Sequence, residues 1–400
     1  MLNNFEQSMN EHGGNIYRLA EELGLPESKI IDFSASINPL GVSKRVGDKI
    51  KKGLKDLSHY PDPDTKELRG KIAQYHDIEP ETLLCGNGST ELIYLVPRAF
   101  KPEKVLIPSP TFSEYERAVV SSQSPENPGL APRSGAGRTQ IKFLNLEKEN
   151  GFEIRPDEFI TAMAGKSSCV TEIQNSNPPL PPFTKGGINK PCDMAFLCNP
   201  NNPTGRLLKK NDVFEIAEAA KKLKCLLIVD EAFIDFHPEE SMIKDTHDNP
   251  YLIVLRSMTK FYALTGLRVG YGVFPSYLIN KLKEFKEPWT VNTLAQKAAM
   301  AAIGDNEYIG KTLRLIKSEK DFLENGFRRI GVEFFPSDAN FYLLKFNNAN
   351  EIILSLLKKG ILVRDCSNFK GLNGSYIRIA VKSREDNMQL LGELSLWQKA

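Results

Sequence analysis

The chain has no run of about eighteen apolar residues, the length a helix needs to cross a bilayer, so no ordinary membrane-spanning helix is expected. Its opening residues, Met1 to Asn15, lack the basic stretch followed by an apolar one that marks a secretory signal. It also lacks any surplus of one charge: the formal net charge is +2 with both signs interspersed, which gives no electrostatic case for nucleic acid or an anionic membrane. The six cysteines contain no CxxC pair, and most flank apolar segments, where a buried free thiol is the expected state. These absences point to a protein of a reducing cytoplasm.

What is present is ordinary in composition, with 41% hydrophobic and 26% charged residues over 400 positions, enough for two domains. Short apolar runs (Lys104–Ile107, Ala195–Cys198, Cys225–Val229, Leu252–Leu255, Val269–Val273) read as strands buried on both faces. Between two of them, Val213, Ile216, Ala217 and Ala220 recur at helical spacing. Alternating strands and helices predict an α/β fold with a mainly parallel sheet, whose ligand lies beyond the carboxyl ends of the strands. From about residue 291 to 400, helical patterns precede the strand-like Phe341–Lys345, Ile361–Arg364 and Tyr376–Val381, which predicts a smaller α+β domain. The large domain is expected over 41–290. Two stretches rich in Pro, Gly, Ser and Asn, 121–138 and 172–191, read as flexible surface insertions.

Five segments carry chemistry. Ser257-Met-Thr-Lys260 follows a buried strand and precedes Gly266-Leu-Arg268. A lysine there can lose proton affinity through burial and nearby cations, making it a nucleophile toward an aldehyde. The hydroxyls of Ser257 and Thr259, with Arg268, suit a phosphate. Asp230 ends the preceding strand, where a buried acid needs a partner such as a protonated ring nitrogen. Asn199-Pro-Asn-Asn202-Pro-Thr-Gly205 is a stiff turn presenting an amide. Gly86-Asn-Gly88-Ser89-Thr90 joins a strand to a helix start with free backbone N–H groups, and Phe112 stands just past the next strand, where a ring could stack on a flat ligand.

In this order the segments resemble the fold-type I pyridoxal-phosphate enzymes over nearly the whole chain outside the insertions. The resemblance implies a seven-stranded, mainly parallel sheet and a Schiff base between Lys260 and pyridoxal 5'-phosphate. It pairs Asp230 with the pyridine nitrogen, Asn202 with the ring hydroxyl and Phe112 with the ring face. Gly88, Ser89, Thr90, Ser257, Thr259 and Arg268 would surround the phosphate, and Tyr60 would reach it from the second subunit of a homodimer. Within that fold, His12-Gly-Gly-Asn15, Ile31-Asp-Phe-Ser-Ala-Ser-Ile-Asn38-Pro-Leu-Gly41, Phe233, Pro288–Asn292 and Val363–Leu372 are similar to the threonine-phosphate decarboxylases of cobalamin biosynthesis. Histidinol-phosphate aminotransferases are the alternative. The decarboxylase resemblance implies a small phosphorylated amino acid as substrate, its phosphate on His12 and Arg364 and its carboxylate on Asn38 and Arg378. Residues 1–40 would then join the small domain and the active site.

Overall fold

The computed structural model describes residues 13–123, 139–166, 170–173 and 190–397. His12 and most of both composition-biased stretches lie outside the described residues. The strands in chain order are β1 (Ile31–Asp32), β2 (Leu83–Gly86), β3 (Lys104–Ser109), β4 (Gln140–Asn145), β5 (Val170–Ile173), β6 (Met194–Cys198) and β7 (Leu226–Asp230). They continue with β8 (Leu252–Ser257), β9 (Gly270–Val273), β10 (Glu333–Phe334), β11 (Phe341–Lys345), β12 (Ile361–Leu362), β13 (Arg364–Asp365) and β14 (Tyr376–Ala380).

The large sheet has the order β2-β9-β8-β7-β6-β3-β4-β5. Its neighbours pair in parallel except around β9 and at the β4–β5 edge. Seven strands match the expected mainly parallel sheet. The eighth, β5, adds an antiparallel edge strand where the sequence reading began an insertion. Val170, Thr171 and Ile173 are β-branched, and the Pro-rich composition downstream obscured them.

Alternate residues of each central strand serve opposite faces. Phe196, Ile228 and Ile253 pack with Leu92, Val96, Tyr115, Val119 and Leu282, all buried. Leu197, Leu227, Val229 and Val254 pack on the other side with Val213, Ile216, Ala217 and Ala220. Both faces are therefore covered, and the polar ends of the strands are the natural place for a ligand.

The smaller sheet, β10-β11-β14-β13, is antiparallel, and β1 pairs in parallel with β12. The N-terminal segment is stitched to this part: Ala380 N donates to the Phe33 carbonyl (2.8 Å) and the Asn340 amide to the Ser36 carbonyl (3.1 Å). The 25-residue helix Asn306–Ile330 starts on the Asp305 side-chain cap and stops at Gly331 in a left-handed conformation. Among the described residues, no helix is long and apolar enough to cross a membrane.

Candidate active site

Strand register, parallel from β6 to β8 and antiparallel between β8 and β9, brings the functional ends of the strands together. Cys198, the last residue of β6, lies opposite Asp230, the last of β7, and Ser257 at the end of β8 faces Gly270. Beyond them is a cavity of about 590 Å³ lined by Ser89, Thr90, Phe112, Asn202, Asp230, Phe233, Ser257, Thr259, Lys260, Arg268, Arg364 and Arg378. These twelve positions, spread from Ser89 to Arg378, thus meet around one space.

Lys260 opens onto this cavity and is otherwise enclosed by protein. Its amine is brought down to about 8, first by burial and then by the charges of Arg378 and Arg268, with Asp32 opposing. A useful fraction of the amine is therefore neutral near physiological pH, as attack on an aldehyde requires.

Asp230 is nearly inaccessible and is raised to about 6 by burial. Two donors keep it in check: the Tyr115 hydroxyl donates to Oδ2 (2.8 Å) and the Ala232 N–H to Oδ1 (3.1 Å). The carboxylate is thus held by two donors in a place that solvent barely reaches, where a cationic partner would favour its charged form.

The phosphate candidates converge as a cup. The helix Ser89–Phe100 begins at Gly88 with no side-chain cap, so its first N–H groups are free to bind an anion. Gly88 has φ +76°, and a Cβ placed there would lie 2.7 Å from the Arg268 guanidinium. At Gly270 a Cβ would lie 2.4 Å from the Ser89 nitrogen, so only glycine lets the helix start settle on the sheet. Ser257 and Thr259 hydroxyls are 2.7 Å apart on the same side. Gly88 does not line the cavity itself; it makes room for the arginine that does.

Arg364 and Arg378 are direct cross-strand partners in the β13–β14 ladder. Two like charges placed opposite one another oppose folding unless an anion balances them. Arg378 reaches the Asn202 amide oxygen and donates to the Ser34 carbonyl (2.8 Å), while its buried Nε has no partner. Burial lowers it to about 10, with Arg364 adding to the effect, so it remains a cation. Arg364 donates to Asn368 (2.9 Å) and sits 5.2 Å over the Phe369 ring.

The residues fit pyridoxal phosphate. A depressed amine, a buried acid, a ring-sized space flanked by Phe112 and an anion cup cleared by Gly88 occur on one cavity.

Two expected residues stand elsewhere. Asn38 is buried and its amide is committed to the Phe261 carbonyl (2.8 Å) and Thr312 Oγ1 (2.7 Å), so it does not line the cavity. Its resemblance to a carboxylate ligand is corrected: the side chain ties the N-terminal segment to the lysine loop and the long helix, and the Asn38 backbone N–H donates to the Lys260 carbonyl. Tyr60 is 83% exposed beside Trp289 (ring centroids 5.1 Å apart) and is absent from this chain's own cavity. Sequence reasoning also missed Tyr115, Asp32 and Ser34. Tyr115 follows Phe112 at helical spacing and looks like one more core aromatic. Asp32 and Ser34 lie inside a quoted motif, but their mutual hydrogen bond (2.6 Å) and place on the cavity wall are tertiary facts.

A sheet whose strand ends carry a cavity-lining lysine, a buried acid and a candidate anion cup defines a class of protein, and the sequence comparisons agree. The chain belongs to the aminotransferase class I and II family, whose pattern matches residues 28–129 and 133–394. More particularly, it is 33% identical over 387 residues to the threonine-phosphate decarboxylase of Salmonella typhimurium, covering 96% of this chain and 95% of that one. A Caldanaerobacter subterraneus subsp. tengcongensis protein with a provisional threonine-phosphate decarboxylase name is 37% identical over 392 residues, covering 96% and 93%. Among solved structures, the histidinol-phosphate aminotransferase of Clostridium acetobutylicum superposes with a TM-score of 0.77 at 29% identity, covering 92% of this chain and 99% of that one.

Proposed function

We propose that this chain is a pyridoxal-phosphate-dependent decarboxylase of L-threonine O-3-phosphate, yielding carbon dioxide and (R)-1-amino-2-propanol O-2-phosphate for cobalamin biosynthesis. The observation that carries this reading is the Arg364–Arg378 pair facing one another on the wall of the lysine cavity. The substrate has two anionic groups, a carboxylate and a phosphate, and forked guanidinium groups bind both kinds of oxygen well.

Bound pyridoxal phosphate supplies an aldehyde and an electron-withdrawing ring that accepts the electron pair left when a bond to the α carbon breaks. The chain does the rest. Lys260 would hold the cofactor through its ε-amine. Asp230 would hold a proton on the ring nitrogen. Phe112 and the Asn202 turn would flank the ring. Arg364 holds the substrate phosphate and Arg378 its carboxylate, which sets the rotation about the α carbon and so selects the bond that breaks. Lys260 Nζ then delivers the proton that replaces the lost carboxylate.

The protein acts as a homodimer in this reading, with the partner subunit's Tyr60 completing the phosphate cup. Its support is the exposed run Leu54, Leu57, Tyr60 and Trp289, which leaves Tyr60 outside its own cavity. Incubation of the cofactor-loaded protein with threonine phosphate should release carbon dioxide and an amino alcohol phosphate with no 2-oxo acid. Glutamate formed from histidinol phosphate and 2-oxoglutarate, without carbon dioxide release, would replace decarboxylation with transamination.

A further inference from the structure

Asp230 is the residue on which the electron-sink reading rests, and its carboxylate does not stand alone. Tyr115 projects from the helix Glu114–Ser121 beneath the cavity floor, fully buried, with its hydroxyl 2.8 Å from Asp230 Oδ2. Its ring cannot wander. It stacks on Phe196 (4.9 Å, 14° between planes) and meets Phe112 edge-on (5.6 Å, 84°). The phenol therefore links the cavity floor to the aromatic that faces the cofactor ring.

The other groups facing the carboxylate are few. The Ala232 N–H donates to Oδ1, and the Cys198 thiol, on the neighbouring strand, is pushed up to about 12 by burial and stays neutral. The Tyr115 hydroxyl is likewise driven well above its ordinary value by burial, so it remains a donor. No cation among the described residues bonds to Asp230. One neutral donor thus holds each oxygen, and each oxygen keeps a lone pair for a third partner.

We propose that Tyr115 is a positioning residue for the reaction: its hydroxyl locks the Asp230 carboxylate as an oriented anion against the ring nitrogen of the bound cofactor. This rests on the reading that Asp230 meets that nitrogen. Without the phenol the carboxylate loses one of two donors, rotates more freely and is more readily protonated, and the ring nitrogen is then less firmly held in its cationic form.

The test uses Tyr115→Phe, which removes the hydroxyl and keeps the ring. Apoenzyme is titrated with pyridoxal phosphate and with 1-deazapyridoxal phosphate, in which carbon replaces the ring nitrogen. Affinity for pyridoxal phosphate should fall about tenfold, the loss of one hydrogen bond to a charged group, while affinity for the deaza analogue stays unchanged. At saturating cofactor, the 15N resonance of the ring nitrogen should move from the pyridinium toward the neutral pyridine position; a general loosening of the cavity would not move it. An unmoved resonance, or equal loss for both ligands, overturns the proposal. Asp230→Asn separates the layers. If it too treats the two cofactors alike, the contact between Asp230 and the nitrogen fails, and the role of Tyr115 with it. If it discriminates while Tyr115→Phe does not, only the role of Tyr115 is lost.

Discussion

Replacing Gly88 by alanine should separate folding from cofactor binding. The residue sits at φ +76° and ψ 163°, a region that essentially only glycine occupies, where an L side chain costs about 1–3 kcal/mol, a loss that falls on the fold with or without cofactor. The new Cβ would also lie 2.7 Å from an Arg268 terminal nitrogen and 3.4 Å from the guanidinium carbon. The arginine must withdraw by roughly an ångström, and a charge-assisted hydrogen bond to the cofactor phosphate worth about 1.5–3 kcal/mol is stretched or broken. That corresponds to roughly 10- to 150-fold weaker pyridoxal phosphate binding. Pyridoxal, which has no phosphate, should bind the variant and the parent within about twofold. Fluorescence titration of the two apoproteins with both ligands measures this directly, and a melting curve gives the folding cost. Unchanged pyridoxal phosphate affinity, or an equal loss for pyridoxal, would refute the assignment of Gly88 and Arg268 to the phosphate cup.

Other outcomes follow from the same geometry. Because the Lys260 amine is lowered to about 8, its neutral fraction shrinks about tenfold per pH unit well below that value; capture of pyridoxal phosphate by apoprotein should accelerate as pH rises and level off above about 8, whereas a plateau only near 10.5 would mean an unperturbed lysine. Arg364→Ala should raise the KM for threonine phosphate by about 100-fold, the cost of a lost ionic hydrogen-bond pair, with cofactor affinity changed less than about twofold; equal losses would place Arg364 at the cofactor instead. Asn38→Ala should lower stability by about 1–3 kcal/mol, since it removes the amide that donates to the Phe261 carbonyl and the Thr312 hydroxyl, and leave KM near the parent value. A large KM rise without loss of stability would return Asn38 to the substrate.

Much of the site was readable because it is built from local strand ends. An apolar run followed by Asp230, or by Ser257-Met-Thr-Lys260, reveals a buried strand and the residue it delivers, and parallel pairing does the rest. The Arg364–Arg378 proximity was legible for a similar reason: both stand in strand-like segments, and the register places them opposite one another. What escaped depends on long-range packing. Nothing near Asn38 in the chain tells that its partners lie at Phe261 and Thr312. Tyr115 reads as core because it is core; its second role comes from one hydroxyl meeting an acid 115 positions away. The edge strand β5 escaped because composition averaged over a window hides four residues that pair well.

Lys260 is assigned the capture of the cofactor aldehyde through its ε-amine. Reducing the holoprotein with borohydride and sequencing the tagged peptide tests it most directly. Phosphopyridoxyl label should be found on Lys260 alone, and Lys260→Ala should take up none. Label on any other lysine, or undiminished labelling of the variant, would contradict it.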